Sequence, residues 1–93
     1  MANLTEEQRQ TVYKALKTPY KPLLDFAMTY VSLNEKQRSA LFSCVIQGHT
    51  EEEVAELLDR SRDAIARWKS AAMERCFLAW KQCPELIEQM CEY

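Results

Sequence analysis

Ninety-three residues give room for one domain, with a core small but workable without disulfides or metal. Apolar residues make up 47% of the chain against one glycine and three prolines, a composition poor in hairpin and turn chemistry that points to an all-α fold. A net charge of −2 argues against a protein that coats nucleic acid indiscriminately, and no apolar run reaches signal-peptide or membrane-spanning length, so a cytoplasmic protein with no membrane contact is expected.

The first predicted helix lies in "LTEEQRQTVYKALKT". Thr5 is placed as its N-cap with Gln8 three residues on, and Val12, Tyr13 and Leu16 are expected on one apolar face. "PYKP" interrupts it, because each proline lacks an N–H and disfavours helix in the residue before it. Pro22 suits the first turn of a second helix, "PLLDFAMTYVS", whose apolar residues surround most of its girth. This helix is expected to be the most buried.

Asn34 with Gln37 repeats the capping pattern and opens a third helix carrying Leu41, Phe42, Cys44, Val45 and Ile46, which Gly48 ends in a left-handed conformation. Thr50 and Glu53 form another capping box at once. Glu51 and Glu52 sit at the positive end of that fourth helix, and Val54, Ala55, Leu57 and Leu58 supply its apolar face. After Leu58 comes "DRS", in which Asp59 tolerates an unusual dihedral and Ser61 can cap a fifth helix. Two short helices joined this tightly make a helix-turn-helix candidate.

Along the fifth helix Ile65, Trp68, Ala72, Cys76, Ala79 and Cys83 are spaced by three and four and are expected to face inward, with Ile65 and Trp68 as core anchors. At about 100° per residue the opposite face carries Asp63, Ala66, Arg67, Ser70 and Glu74. Small Ala66 and Ser70 flank the long Arg67, a shape suited to a major groove, where arginine pairs with guanine and small side chains touch thymine methyls. Arg60, Arg62 and Lys69 lie to the sides, where phosphates would be. The charge is local: five acids and no base run from Glu51 to Asp59, then six bases against two acids from Arg60 to Lys81.

Other chemistry finds no support. The four cysteines, Cys44, Cys76, Cys83 and Cys91, stand far apart, with one histidine, His49, to assist them, so no metal site is expected. No serine–histidine–acid grouping and no phosphate-cradling glycine loop stands out, and neither an enzyme nor a cofactor is expected.

The stretch "LNEKQRSALFSCVIQGHTEEEVAELLDRSRDAIARWKSAAMERC" resembles the helix-turn-helix shared by region 4 of sigma-70-type factors and LuxR-type regulators. The likeness is carried by Leu33 and Arg38, by Gly48, Thr50, Glu53, Val54, Ala55 and Leu58, and by Ser61, Ala64 and Ile65. It covers roughly half the chain. The resemblance implies a supporting helix over 51–58 and a recognition helix from residue 62, with Ser61, Arg62, Asp63, Ala66 and Arg67 where such domains meet DNA. Asp59 and Arg60 depart from the family's usual glycine and aliphatic residue, and Lys69 stands where an apolar residue is usual. Trp68 followed by basic residues looks more like the helix-turn-helix of phage small terminase subunits.

The expectation is thus a single all-α domain, a compact bundle of about five to six helices: a helical pair over 1–32, a region-4-like core with a long recognition helix over 33–83, and a helical tail over 84–93. Its expected function is sequence-specific binding of duplex DNA in transcription regulation, through Arg60, Ser61, Arg62, Asp63, Ala66, Arg67, Lys69 and Ser70. A packaging subunit of a phage, or a module docking on RNA polymerase or another regulator, are the alternatives. Apolar surfaces on Met73, Phe77 and Trp80 and on Leu86, Ile87, Met90 and Cys91 either cover the first two helices or pair two chains.

Overall fold

Three of the helices begin where a capping box satisfies the first orphan amides of the turn. In the computed structural model, which describes residues 4–92, these and three more helices make an all-α protein, with no strand among the described residues. They are α1 (Glu6–Leu16), α2 (Lys21–Met28), α3 (Glu35–Leu41), α4 (Glu51–Leu58), α5 (Arg62–Trp80) and α6 (Pro84–Glu92). Thr5, Asn34 and Thr50 each accept from the amide three residues on, while Gln8, Gln37 and Glu53 reach back to the cap's own N–H. α2 has no side-chain cap and starts instead with Pro22 in its first turn, where a missing N–H costs nothing.

α3 runs directly into a π-helical turn over Phe42–Ile46, closed by the Gln47 N–H donating to the Phe42 carbonyl at 2.8 Å. Gly48 then takes φ 80° and ends the helix. A Cβ at Gly48 would meet nothing within 4 Å, so the dihedral and not space demands glycine.

The chain divides into two compact units, and the division falls inside α5 between Ala72 and Met73. In the unit made of residues 4–32 and 73–92, α1 packs along α6 and α2 also meets α6. Val12, Ala15 and Leu16, spaced i, i+3, i+4, are buried on α1, as are Leu24 and Ala27 on α2, Cys76 and Trp80 on α5, and Leu86 and Met90 on α6. Trp80 is 1% exposed, and its indole N–H donates to the Ala27 carbonyl at 2.9 Å, which leaves no polar atom unpaired in burying the largest side chain. Burial holds the Cys76 thiol protonated, its pKa pushed up to about 12.

In the unit made of residues 33–72, Ala40, Leu41, Cys44 and Val45 are buried from α3 and its π turn, Val54 and Ala55 from α4, and Ala64, Ile65 and Ala72 from α5. The π turn lies against α4. Burial raises the Cys44 thiol's pKa, opposed by the nearby Lys69 charge and reinforced by Glu51.

Several expected inward residues lie elsewhere. Tyr13 is exposed, with Ala15 completing the α1 face in its place and the Lys17 ammonium 5.2 Å from its ring centre. α2 is not the most buried helix: Phe26 and Tyr30 are more than half exposed and meet edge to face at 5.3 Å. Leu57 is 76% exposed, because in an eight-residue helix packed on one side the Val54–Ala55 edge alone faces the core. Cys83 falls beyond the end of α5 in an exposed turn. Trp68 is half-buried and not a core anchor.

Two stability measurements follow from these placements. Thr50→Ala removes the acceptor for the Glu53 amide and is expected to lower unfolding free energy by about 1 kcal/mol in a denaturant titration; an unchanged midpoint would dispose of the capping argument. Trp80→Ala should cost about 3–5 kcal/mol and Trp68→Ala less than about 3. The reverse ranking would show the burial pattern to be wrong.

Candidate nucleic-acid interface

A helix that is to present side chains to another surface must be held rigidly at its start, and the α4–α5 corner does this with backbone and short side chains. Thr50 Oγ1 accepts from the Glu53 N–H at 3.1 Å, and Glu53 Oε1 accepts from the Thr50 N–H at 2.9 Å. The backbone and side-chain bonds to Thr50 hold the Glu53 carboxyl below the usual carboxylate range. At the far end of α4, Asp59 adopts φ 54°, ψ 50°, the left-handed conformation usually given to glycine. That geometry lets the Arg60 N–H reach back to the Ala55 carbonyl at 2.9 Å, satisfying one of the helix's last acceptors. Ser61 Oγ accepts from the Ala64 N–H at 3.1 Å and caps α5. The aspartate therefore replaces the usual turn glycine without opening the turn.

From this corner the first turns of α5 carry the residues singled out by the sequence. Asp63 and Arg67 are exposed, and Ala66 and Ser70 are half-buried beside Arg67 on the same side of the helix. Arg60 and Ser61 are exposed in the turn. Among the described residues no carboxylate pairs with Arg60 or Arg67. Arg67 is thus an unpartnered cation between two small residues.

Arg62 and Lys69 are placed differently. Glu51 lies between them, with Oε1 3.7 Å from Arg62 Nε and Oε2 3.0 Å from Lys69 Nζ. Glu52 Oε1 lies 3.3 Å from Arg62 Nη1. The Lys69 and Glu51 side chains are only 26% and 23% exposed, whereas Arg62 and Glu52 are 64% and 67% exposed. Lys69, one of the expected flanking bases, is therefore turned toward the start of α4, on the helix edge nearer the core. Its partial burial is offset by the Glu51 carboxylate.

Sequence reasoning took Glu51 and Glu52 only as residues that suit a helix N-terminus. Their pairing with bases eleven and eighteen positions later needs the corner to be folded. The Lys36 ammonium, 5.5 Å from the Trp68 ring centre, was likewise beyond reach of local pattern. Together with Leu58 and Arg60 these two residues line an open hollow beside the turn. No cluster of three or more His, Cys, Asp or Glu side chains among the described residues is arranged to hold a metal, and no helix among them is long and apolar enough to cross a membrane.

Comparison with known proteins agrees with the geometry. The family described as Sigma-70, region 4 matches residues 29–76, slightly more than half of the chain and inclusive of α3, the π turn, α4, the corner and most of α5. No curated protein and no solved structure matches the chain. Capped supporting helix, tight left-handed corner and basic second helix thus coincide with the matched span, and the chain belongs to the sigma-70 region 4 family of helix-turn-helix DNA-binding domains.

Proposed function

We propose that this protein regulates transcription by binding duplex DNA sequence-specifically in the major groove, with the first turns of α5 as the recognition element. The observation that carries the proposal is Arg67: exposed, without a carboxylate partner among the described residues, and flanked by side chains small enough for the helix backbone to approach base edges. In this reading Arg67 reads a base, Ala66 and Ser70 admit the groove wall, and Asp63 discriminates by accepting from an exposed base amino group or repelling a misplaced phosphate. Arg60 and the Ser61 end of the helix meet phosphate, Arg62 does so in exchange for Glu52, and half-buried Lys69 is the least available of the bases.

A second reading places the same domain on a protein surface, with RNA polymerase as the partner. It is favoured by the net charge of −2 and by Leu57, which projects from α4 at 76% exposure with no apolar neighbour required by the fold. Phage DNA packaging, the other alternative, has no separate observation in its favour.

Selection of bound sequences from a random duplex pool, followed by salt titration, separates these readings. Arg67→Ala is expected to lose about 1–3 kcal/mol on the enriched sequence and to relax preference at one position, whereas Arg60→Ala should weaken all sequences alike and flatten the salt slope by about one. If the parent protein shows no salt-dependent duplex binding, groove recognition fails and protein docking replaces it.

A further inference from the structure

The four bases around the start of α5 fall into two electrostatic classes. Arg60 and Arg67 have no acidic partner among the described residues, while Arg62 and Lys69 face the carboxylates of Glu51 and Glu52 across the α4–α5 corner. A carboxylate at salt-bridge distance is a resident competitor for phosphate: the same base cannot serve both at full strength. We propose that Glu51 and Glu52 are positioning residues that set the specificity of the DNA complex by withholding Arg62 and Lys69 from phosphate. This rests on the DNA-binding function proposed above.

Non-specific affinity grows with each phosphate neutralised, because each releases condensed counterions and adds about 0.9 to the salt slope. Base reading by Arg67 does not scale in this way. Engaging two bases internally therefore lowers binding to every sequence and leaves the base-reading contact a larger share of the total. The two acids act unequally. Glu52 holds only Arg62, in an exposed pair that solvent and salt weaken, so Arg62 can exchange its carboxylate for phosphate at small cost. Glu51 holds both bases, and its contact with Lys69 is short and half-buried, so Lys69 stays engaged.

Net charge alone would also make any removal of an acid favour DNA, and Glu56 supplies the control. It is exposed on the same helix and takes part in no ion pair among the described residues. Glu52→Gln and Glu56→Gln therefore remove equal charge from α4, but only the first frees a base.

The test measures binding of parent, Glu52→Gln, Glu51→Gln and Glu56→Gln to a short random-sequence duplex and to the duplex enriched from a random pool, across a salt series, with denaturation curves confirming that each is folded. Glu52→Gln is expected to bind the random duplex about three- to tenfold more tightly than Glu56→Gln at about 50 mM salt, with a salt slope steeper by about one. Its ratio of enriched to random affinity should fall correspondingly. Glu51→Gln should steepen the slope at least as much, and a weaker-binding Glu51→Gln would instead make that residue a support for DNA contact and overturn the proposal. Equal slopes and equal ratios for Glu52→Gln and Glu56→Gln overturn it as well, with parent binding intact. Absence of duplex binding by every protein in the series overturns the functional reading itself and this inference with it, whereas binding by Glu52→Gln alone supports the withholding role.

Discussion

Three residues join α4 to α5, and the direction in which α5 leaves is fixed by how their backbone groups are satisfied. Asp59 in the left-handed region turns the Arg60 amide back onto the Ala55 carbonyl, and Ser61 closes the first open amide of α5. A non-glycine residue in that region carries a steric penalty of order 1–2 kcal/mol, which the hydrogen bond back to the helix and the burial of Ala55, Ala64 and Ile65 must outweigh. Every side chain proposed to touch DNA is placed relative to this corner. A slack turn would leave the charge pattern intact and make it useless.

The acids at the start of α4 serve two purposes. Glu51, Glu52 and Glu53 occupy the first turn, where the helix dipole favours negative charge. Once the corner folds, two of them lie within reach of α5's bases, so the abrupt change of sign along the chain becomes a short-range pairing in space. The same pairing accounts for Lys69, a base on the helix edge nearer the core. Its ammonium is accommodated because a carboxylate stands 3.0 Å away. An apolar contact has been exchanged for a charged one across the corner.

What could be read before folding was whatever depends on neighbours in sequence. The capping boxes of Thr5, Asn34 and Thr50, the left-handed Gly48 and Asp59, and the cap at Ser61 are decided within about four residues, and all were legible. Burial was less legible, because periodicity names a face without saying how wide the covered part is. Tyr13, Phe26, Tyr30 and Leu57 are apolar residues at the margins of such faces, and they remain exposed. Trp68 sits 60° from Ile65 on the α5 wheel, close enough to be counted with the inward stripe and far enough to end half-buried under a lysine. For the site, the identity of the outward side chains could be read from spacing, but which of the bases were already engaged could not.

The π turn at the end of α3 bears on how this segment can change length. A π turn holds one residue more than the α-helical turn it replaces, and such an extra residue rotates everything that follows by about 100° about the helix axis. Here the rotation sets where the chain leaves for Gly48 and the start of α4, and it brings Cys44 and Val45 inward together with Ala40 and Leu41. Removal of a single residue between 42 and 46 would let the segment relax into regular α-helix, and the caps of α4 would then be delivered to the wrong side of their own core. Variation among proteins built on this plan should therefore be free in side-chain chemistry along Phe42–Ile46 and closed to insertion or deletion there.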